Sequence, residues 1–170
     1  LAQKGCICID KSSAYRMRPN VPLVVPEVNG HLLREKKSSI IASPNCVATP
    51  LVQVLAPIHR LTPLDQVVVS TYQAVSGAGK EASDELELQV RDLFNMRDVK
   101  ASVFGKQIAF NVLPFIPARG PVDTQGKTDE EIKLIEETKK ILDLHDLKME
   151  ATCVRVPVFN GHSMSVTIST

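Results

Sequence analysis

The chain has 170 residues, of which 44% are apolar and 23% charged, and its formal net charge is +1. These values suit a folded domain and argue against a disordered tail or a protein that binds nucleic acid through a basic surface. Aromatic residues make up only 4% and tryptophan is absent, so the stacking surfaces of single-strand binders are missing. No apolar run approaches the ~20 residues that span a bilayer. We therefore expect no membrane partner, and a cytoplasmic protein or an organellar one that has lost a transit peptide.

Alternating apolar residues between turn signals predict six strands, and helical periodicity predicts three helices. The strands are expected at residues 5–9, 39–42, 66–72, 107–113, 147–156 and 163–168, and the helices at residues 46–59, 80–95 and 129–143. This order indicates a mixed α/β (α+β) fold, with a mixed β-sheet and flanking helices. In the first strand Cys6 and Cys8 alternate with isoleucine, which favours packing of both thiols in the core.

The helix expected at residues 129–143 has the clearest start, because Thr128 and Glu131 fit a capping box. Its apolar stripe consists of Leu134, Ile135, Ile141 and Leu142. Lys133 lies nearly opposite that stripe on a helical projection. The residues alone therefore predict that Lys133 is a solvated lysine paired with Glu137, four positions further along.

Cys46 stands in the stretch IIASPNCVATP, where the second strand passes into the first helix. Backbone N–H groups and the helix dipole at such a position would favour a thiolate, which is a competent nucleophile toward a carbonyl carbon. Asn45 is the natural N-cap, and Pro50 indicates that the regular helix begins only after Thr49. From its position alone, Cys46 could equally well be an inert, buried cysteine.

Four further polar residues are candidates for binding or proton transfer. His162, in the glycine turn FNGHS, suits proton transfer near neutral pH, and its alternative is a surface histidine. Arg155 lies in an apolar strand, where a guanidinium is costly to bury unless it binds an anion. Gln73, at a strand end, suits the orientation of a substrate carbonyl or a simple turn hydrogen bond. Arg16 is a loop arginine whose alternative is plain solvent exposure.

The segment VVVSTYQAVSGAGKEAS runs from a strand through a glycine-rich turn into a helix. That order places backbone N–H groups near a phosphate or a cofactor, although two glycines are a weak signal. The cysteines and histidines lack the spacing of metal ligands, so we expect no metal site.

Seven segments of the chain, taken in order, closely resemble aspartate-β-semialdehyde dehydrogenases: SSAYR, VPLVVPEVN, IIASPNC, VVVSTYQAVSGAG, QIAFNVLP, EEIKLIEETKKIL and ATCVRVPVFNGHS. The resemblance covers essentially the whole chain. It implies the edge of a Rossmann-type nucleotide domain at residues 1–45 and a catalytic and dimerisation domain at residues 46–170. It also implies a homodimer or a dimer of dimers.

The same resemblance implies an NADP-dependent oxidoreductase that interconverts β-aspartyl phosphate and aspartate β-semialdehyde. This reaction leads to lysine, threonine, methionine and isoleucine. The thiolate of Cys46 would attack the aldehyde, hydride would pass to the nicotinamide, and phosphate would release the resulting thioester. His162 would be the general acid and base, and Gln73 would orient the substrate.

Binding roles follow from the resemblance residue by residue. Arg155 would fork the substrate carboxylate, and Glu130 would meet its ammonium group. The residues implied for phosphate are Arg16, Asn45 and Lys133. The residues implied for contact with the nicotinamide are Ser76 and Gly77. These roles replace the interpretation of Lys133 as a solvated side chain.

The chain departs from the family's pattern at several points. The glycine-rich nucleotide loop and the C-terminal segment of the family are not in the sequence, and Val47 and Ala48 stand where a Ser-Thr pair is frequent. We therefore expect a part of a longer enzyme, inactive and weak in NADP binding when isolated. One alternative is a related acyl-phosphate reductase such as N-acetyl-γ-glutamyl-phosphate reductase, but the segment TYQAVSGAG favours the aspartate enzyme. The other alternative is a catalytically silent fragment that dimerises.

Overall fold

The computed structural model describes residues 6–34, 39–116 and 122–170. The helices are α1 (Pro26–Asn29), α2 (Ala48–Leu61), α3 (Lys80–Phe94) and α4 (Asp129–Leu142), with 3₁₀ turns at Gly30–Arg34 and Val75–Ala78. The strands are β1 (Cys8–Asp10), β2 (Ile40–Ala42), β3 (Gln66–Gln73), β4 (Lys148–Arg155) and β5 (Ser163–Ser169). The chain divides into two compact units: Leu1–Val67 with Lys133–Met149 and Ile168–Thr170, and Val68–Ile132 with Glu150–Thr167.

The first unit contains the parallel pair β1 and β2, in which Cys8 lies opposite Ile40. Its core consists of Val21, Leu23, Val25, Ala42, Val52 and Ile141. Asn29 is buried beside this core and satisfies three backbone groups: it accepts from the N–H of Val25 and donates to the carbonyls of Leu23 and Ile141. The side-chain amide thus supplies hydrogen-bond partners that a neighbouring strand would otherwise give to the extended segment before α1.

The second unit holds most of a sheet whose order, among the described strands, is β4-β3-β5. Along β3 and β4 buried and accessible residues alternate, as expected of strands with one face against a core. The core cluster of this unit consists of Val75, Ala82, Leu86, Phe104, Ile108, Ala109 and Leu113.

The mixed α/β fold class is confirmed, and β2–β5 and α2–α4 correspond to predicted elements. The strand predicted at residues 107–113 is wrong. The side-chain Oε1 of Gln89 accepts the N–H groups of Ile108 and Ala109 at 2.9 and 3.0 Å. Leu113 makes only an isolated bridge, to Arg155. A glutamine from α3 thus captures the donors that a strand would have given to a neighbour.

The prediction that Cys6 and Cys8 both pack in the core is also wrong. Cys6 is exposed, Cys8 is half-buried, and Ile7 and Ile9 are each 73% exposed. Among the described strands β1 pairs only with β2, so it forms part of a two-stranded sheet. Within the described ranges, none of the helices has the length and apolar character needed to cross a membrane.

Candidate active site

Cys46 lies in the turn between β2 and α2, one residue after Asn45. Helix α2 begins at Ala48, so the prediction that the helix starts after Thr49 is wrong, and Val47 directly before it makes no side-chain capping bond. Asn45 still binds this end of the helix: its Oδ1 accepts from the N–H of Val47 at 2.7 Å, and its carbonyl accepts from the N–H of Thr49 at 3.2 Å. These bonds fix the turn that presents Cys46.

Two of the four cysteines differ sharply in their surroundings. The side chain of Cys46 is exposed. Cys153 is fully buried in β4, and this burial raises the pKa of its thiol to about 12. Cys153 is therefore neutral and inaccessible near neutral pH, whereas Cys46 can meet a substrate.

A buried carboxylate joins two of the predicted phosphate residues. We call Arg16, Asn45 and Glu137 the Glu137 cluster. The Oε1 of Glu137 accepts from Nη1 of Arg16 at 2.9 Å, and its Oε2 accepts from the backbone N–H of Asn45 at 2.6 Å. The side chain of Glu137 is 1% exposed and that of Arg16 is 12% exposed, so this ion pair is largely removed from water. Arg16 is not the solvated loop arginine of the alternative interpretation.

The loop that carries Arg16 is fixed from both its side chain and its backbone. The Nε of Arg16 donates to the carbonyl of Ser43 and its Nη2 to the carbonyl of Lys11, both at 2.9 Å. The Nζ of Lys140, on α4, donates to the carbonyls of Arg16, Arg18 and Val21 at 2.6, 2.9 and 3.1 Å. Burial lowers the pKa of Lys140. The guanidinium of Arg16 therefore has a defined position before any ligand arrives.

Lys133, Glu137 and Lys140 follow one another at i, i+4 and i+7 and therefore share one face of α4. Lys133 is half-buried there. The prediction that Lys133 is a solvated lysine is wrong, because Lys133 is half-buried and Glu137 beside it is buried. A signal for this was in the sequence: on a helical projection Glu137 lies only about 40° from the apolar residue Ile141.

In the second unit, Gln73 is 1% exposed and both ends of its amide are bound. Its Nε2 donates to Oε1 of Glu130 at 3.1 Å, and its Oε1 accepts from the hydroxyl of Thr71 at 2.9 Å. The capping box predicted at the start of α4 is confirmed, since the N–H of Thr128 donates to Glu131 at 2.7 Å. The half-buried carboxylate of Glu130 thus projects from a fixed helix start toward the end of β3.

His162 is half-buried just before β5. Its Nδ1 accepts from the backbone N–H of Ala74 at 3.0 Å, so the neutral imidazole carries its proton on Nε2. Burial lowers the pKa of His162 and the charge of Arg155 lowers it further, while Glu130 acts in the opposite direction. The neutral form, which can accept a proton in one step and return it in the next, is thereby favoured at neutral pH.

Arg155 is 6% exposed at the end of β4. Its Nη1 donates to the carbonyl of Ala74 at 2.6 Å, and its Cζ lies 5.9 Å from the centre of the Phe104 ring. Ala74 therefore holds two candidate residues at once, one through its N–H and one through its carbonyl. It acts through its backbone alone, so no side-chain pattern could have indicated it.

Gly77 brings its backbone directly against these two side chains. A Cβ at this position would lie 3.0 Å from Nη1 of Arg155 and 3.0 Å from Cε1 of His162. Ser76 and Gly77 are both exposed in the turn Val75–Ala78, and the N–H of Ser76 donates to the carbonyl of Phe159 at 3.1 Å. The absence of a side chain at Gly77 allows the turn to approach Arg155 and His162 this closely.

Two family models match this chain. Residues 55–170 match the semialdehyde dehydrogenase dimerisation domain, and residues 1–36 match the semialdehyde dehydrogenase NAD binding domain. This chain belongs to the semialdehyde dehydrogenase family.

Named relatives within this family are aspartate-semialdehyde dehydrogenases. The chain is 47% identical to that of Aquifex aeolicus (strain VF5), over 99% of its own length and 49% of the relative's. A solved structure of aspartate semialdehyde dehydrogenase II from Vibrio cholerae, complexed with ASA, matches with a TM-score of 0.92 and 39% identity, over 98% of this chain and 49% of that one. The Candida albicans enzyme with NADP matches with a TM-score of 0.62 and 26% identity, over 94% and 42%. The chain thus spans about half the length of the curated relatives it matches.

The resemblance to aspartate-β-semialdehyde dehydrogenases is confirmed by these relatives. Within the first unit of this chain, Arg16 and Asn45 meet at Glu137, and Lys133 lies one helical turn away on α4. Within the second unit, Gln73 binds Glu130, and Arg155 and His162 meet at Ala74 and Gly77. In the described part of the chain, no group of three or more His, Cys, Asp or Glu side chains is arranged to hold a metal ion.

Proposed function

We propose that the intact protein containing this chain is a phosphorylating aspartate-β-semialdehyde dehydrogenase. It interconverts β-aspartyl phosphate and aspartate β-semialdehyde in the biosynthesis of lysine, threonine and methionine, and uses NADP. The boundary between its nucleotide and catalytic domains falls near residue 45. It assembles as a homodimer or a dimer of dimers, an inference that the match to a dimerisation domain supports.

The observation that carries this proposal is the exposed thiol of Cys46 at a fixed strand-to-helix turn. Oxidation of an aldehyde to an acyl phosphate requires a nucleophile that first adds to the carbonyl carbon and then leaves as the acyl group is transferred. An accessible thiolate does both. The buried thiol of Cys153, with its pKa of about 12, does neither.

In the first unit we assign phosphate binding to Arg16, Asn45 and Lys133. The guanidinium of Arg16 has five N–H groups, and bonds to Ser43, Glu137 and Lys11 occupy three of them. At most one N–H remains on each terminal nitrogen, a pair that suits two oxygens of a phosphate. The half-buried ammonium of Lys133 would add a second positive charge.

In the second unit we assign proton transfer to Nε2 of His162, the nitrogen that faces away from its bond with Ala74. Gln73 would orient the aldehyde through the amide that now donates to Glu130. Arg155 would bind the carboxylate of the substrate, and Glu130 its ammonium group. The guanidinium and the carboxylate suit the two opposite charges of an amino acid.

We assign contact with the nicotinamide ring to the turn at Ser76 and Gly77, which is exposed and lies directly against the imidazole of His162. When bound, NADP would supply the hydride acceptor for the oxidation and the hydride donor for the reverse reduction. The residues of this turn would contact the ring, and the imidazole of His162 would move the proton.

The test is an assay of the intact protein with aspartate β-semialdehyde, inorganic phosphate and NADP. We expect NADPH to form continuously only when phosphate is present, because without phosphate the reaction stops once Cys46 has been converted to the thioester, and we expect Cys46→Ala to lower the rate roughly a thousandfold or more. Cys153→Ala is the matched control and should keep most of the activity, since that thiol touches no substrate in this proposal.

The same assay separates this function from that of a related acyl-phosphate reductase. We expect aspartate β-semialdehyde to be turned over far faster than N-acetylglutamate γ-semialdehyde. The reverse preference, or an active Cys46→Ala protein, would refute the proposal.

A further inference from the structure

We propose that Glu137 is the positioning residue of the phosphate site: its one buried carboxylate sets both the guanidinium of Arg16 and the backbone N–H of Asn45. This inference rests on the proposed function, which assigns phosphate binding to Arg16 and Asn45. It adds a residue to which neither the sequence patterns nor the family resemblance gave a role in phosphate binding.

The geometry gives each carboxylate oxygen a separate task. Oε1 accepts from Nη1 of Arg16 at 2.9 Å, and Oε2 accepts from the N–H of Asn45 at 2.6 Å. Both bonds are charge-assisted and the carboxylate is 1% exposed, so water does not compete for either donor. Glu137 therefore ties the loop of Arg16 to the turn that presents Cys46.

Helix α4 supplies the rigidity that a positioning residue needs. Lys140, one turn after Glu137, donates to the carbonyls of Arg16, Arg18 and Val21 and so holds the backbone of the loop whose side chain Glu137 holds. Arg16 is thus fixed at its backbone by one α4 side chain and at its guanidinium by another. A ligand then binds a preformed donor and does not have to order it.

A negative charge beside a phosphate site also has an unfavourable effect, because it weakens the field of Arg16. Two substitutions separate orientation from charge. Glu137→Gln keeps the length of the side chain, removes the charge and turns an NH₂ group toward one of the two donors. Glu137→Asp keeps the charge, but its shorter side chain cannot reach both donors. A positioning role predicts that both changes harm phosphate binding, whereas a pure charge effect predicts tighter binding in Glu137→Gln and none or little change in Glu137→Asp.

The experiment measures the KM for phosphate and the KM for aspartate β-semialdehyde in the intact protein. We expect both Glu137 variants to raise the KM for phosphate about tenfold or more, since each loses a bond to a charged group. The KM for the semialdehyde should change less than about twofold. A second readout needs no turnover: the inorganic phosphate concentration that halves the rate of Cys46 alkylation should rise by the same factor.

The matched control is Glu85→Gln, which changes another buried glutamate and carries no proposed role in phosphate binding. It should lower stability comparably and leave the KM for phosphate unchanged. Glu137 variants that keep the wild-type phosphate KM and protection would overturn the assignment. If the wild-type protein shows no phosphate-dependent turnover, the proposed function fails, and the alkylation assay alone then decides on Glu137.

Discussion

Helices α3 and α4 each use a buried glutamate to hold a loop, but the two glutamates bind different kinds of donor. On α3, Glu85 accepts the backbone N–H groups of Ser102, Val103 and Phe104 at 2.5, 2.7 and 3.4 Å. On α4, Glu137 accepts one backbone N–H and one arginine side chain. Glu85 thus gives hydrogen-bond partners to loop N–H groups that no strand pairs with, whereas Glu137 also sets the direction of the guanidinium of Arg16.

The residues one turn further along each helix repeat this difference. Gln89 on α3 accepts from Ile108 and Ala109 and donates to the carbonyl of Lys100 at 2.8 Å, so it satisfies the backbone of a loop that packs in the core. Lys140 on α4 binds three carbonyls of the loop of Arg16. A residue about one turn after the glutamate thus stabilises a structural loop on α3 and a candidate ligand-binding loop on α4.

Among the substitutions that test this difference between the two helices, removing the ammonium of Lys140 should have the largest effect on stability and on phosphate binding. Lys140→Met leaves three carbonyls without their donor and should lower the free energy of unfolding by about 1–3 kcal/mol. It should also raise the KM for phosphate, because the backbone of Arg16 loses its anchor. Denaturant unfolding and phosphate kinetics measure the two effects.

Two control variants, one on α3 and one on α4, test whether the effect is specific to Lys140. Gln89→Leu should cost a similar ~1–3 kcal/mol and leave the KM for phosphate unchanged. Lys139→Met removes the same charge from a neighbouring position and should move neither quantity by much. A phosphate KM that rises equally in Gln89→Leu would mean that any loss of stability produces the effect.

The next largest effect is expected at Gly77. An alanine here places its Cβ 3.0 Å from Nη1 of Arg155 and from Cε1 of His162, so both side chains must shift by a few tenths of an ångström. We expect kcat to fall about tenfold and the unfolding free energy to fall by about 1 kcal/mol. Ala78→Ser, in the same exposed turn, should keep full activity, and a fully active Gly77→Ala would contradict the close approach.

The smallest of the predicted effects is a shift in the pKa of His162 when Glu130 is replaced. Burial and the charge of Arg155 lower this pKa, and Glu130 raises it, so Glu130→Gln should lower it further. An NMR titration of the imidazole measures the shift, and Glu136→Gln, an exposed change on the same helix, should produce none. A rise in the pKa of His162 in Glu130→Gln would contradict the placement of the Glu130 carboxylate near the imidazole.

The lowered pKa of His162 also fixes the sign of its effect on stability. The folded protein binds this proton less well than the unfolded chain does, so the imidazole contributes stability above its ordinary pKa, near 6.5. That contribution is lost as the pH falls through the lowered folded pKa. Unfolding measured across this range should show a smaller loss in His162→Gln than in the wild type.

Local patterns predicted most of the elements, because β3, β4 and α2–α4 have long periodic segments with clear caps or turns. The strand predicted at residues 107–113 failed because Gln89, distant in sequence, captures its N–H groups. Glu137 and Ala74 were missed for related reasons. The partners of Glu137 are loop residues far along the chain, and Ala74 acts through backbone groups that every residue has.

The central claim is that Cys46 forms a thioester which phosphate discharges. Intact-protein mass spectrometry, after mixing the full-length protein with aspartate β-semialdehyde and NADP but no phosphate, tests it most directly. The account predicts one acyl adduct, located on the peptide that contains Cys46, which disappears when phosphate is added. No adduct, or an adduct on another residue, would contradict it.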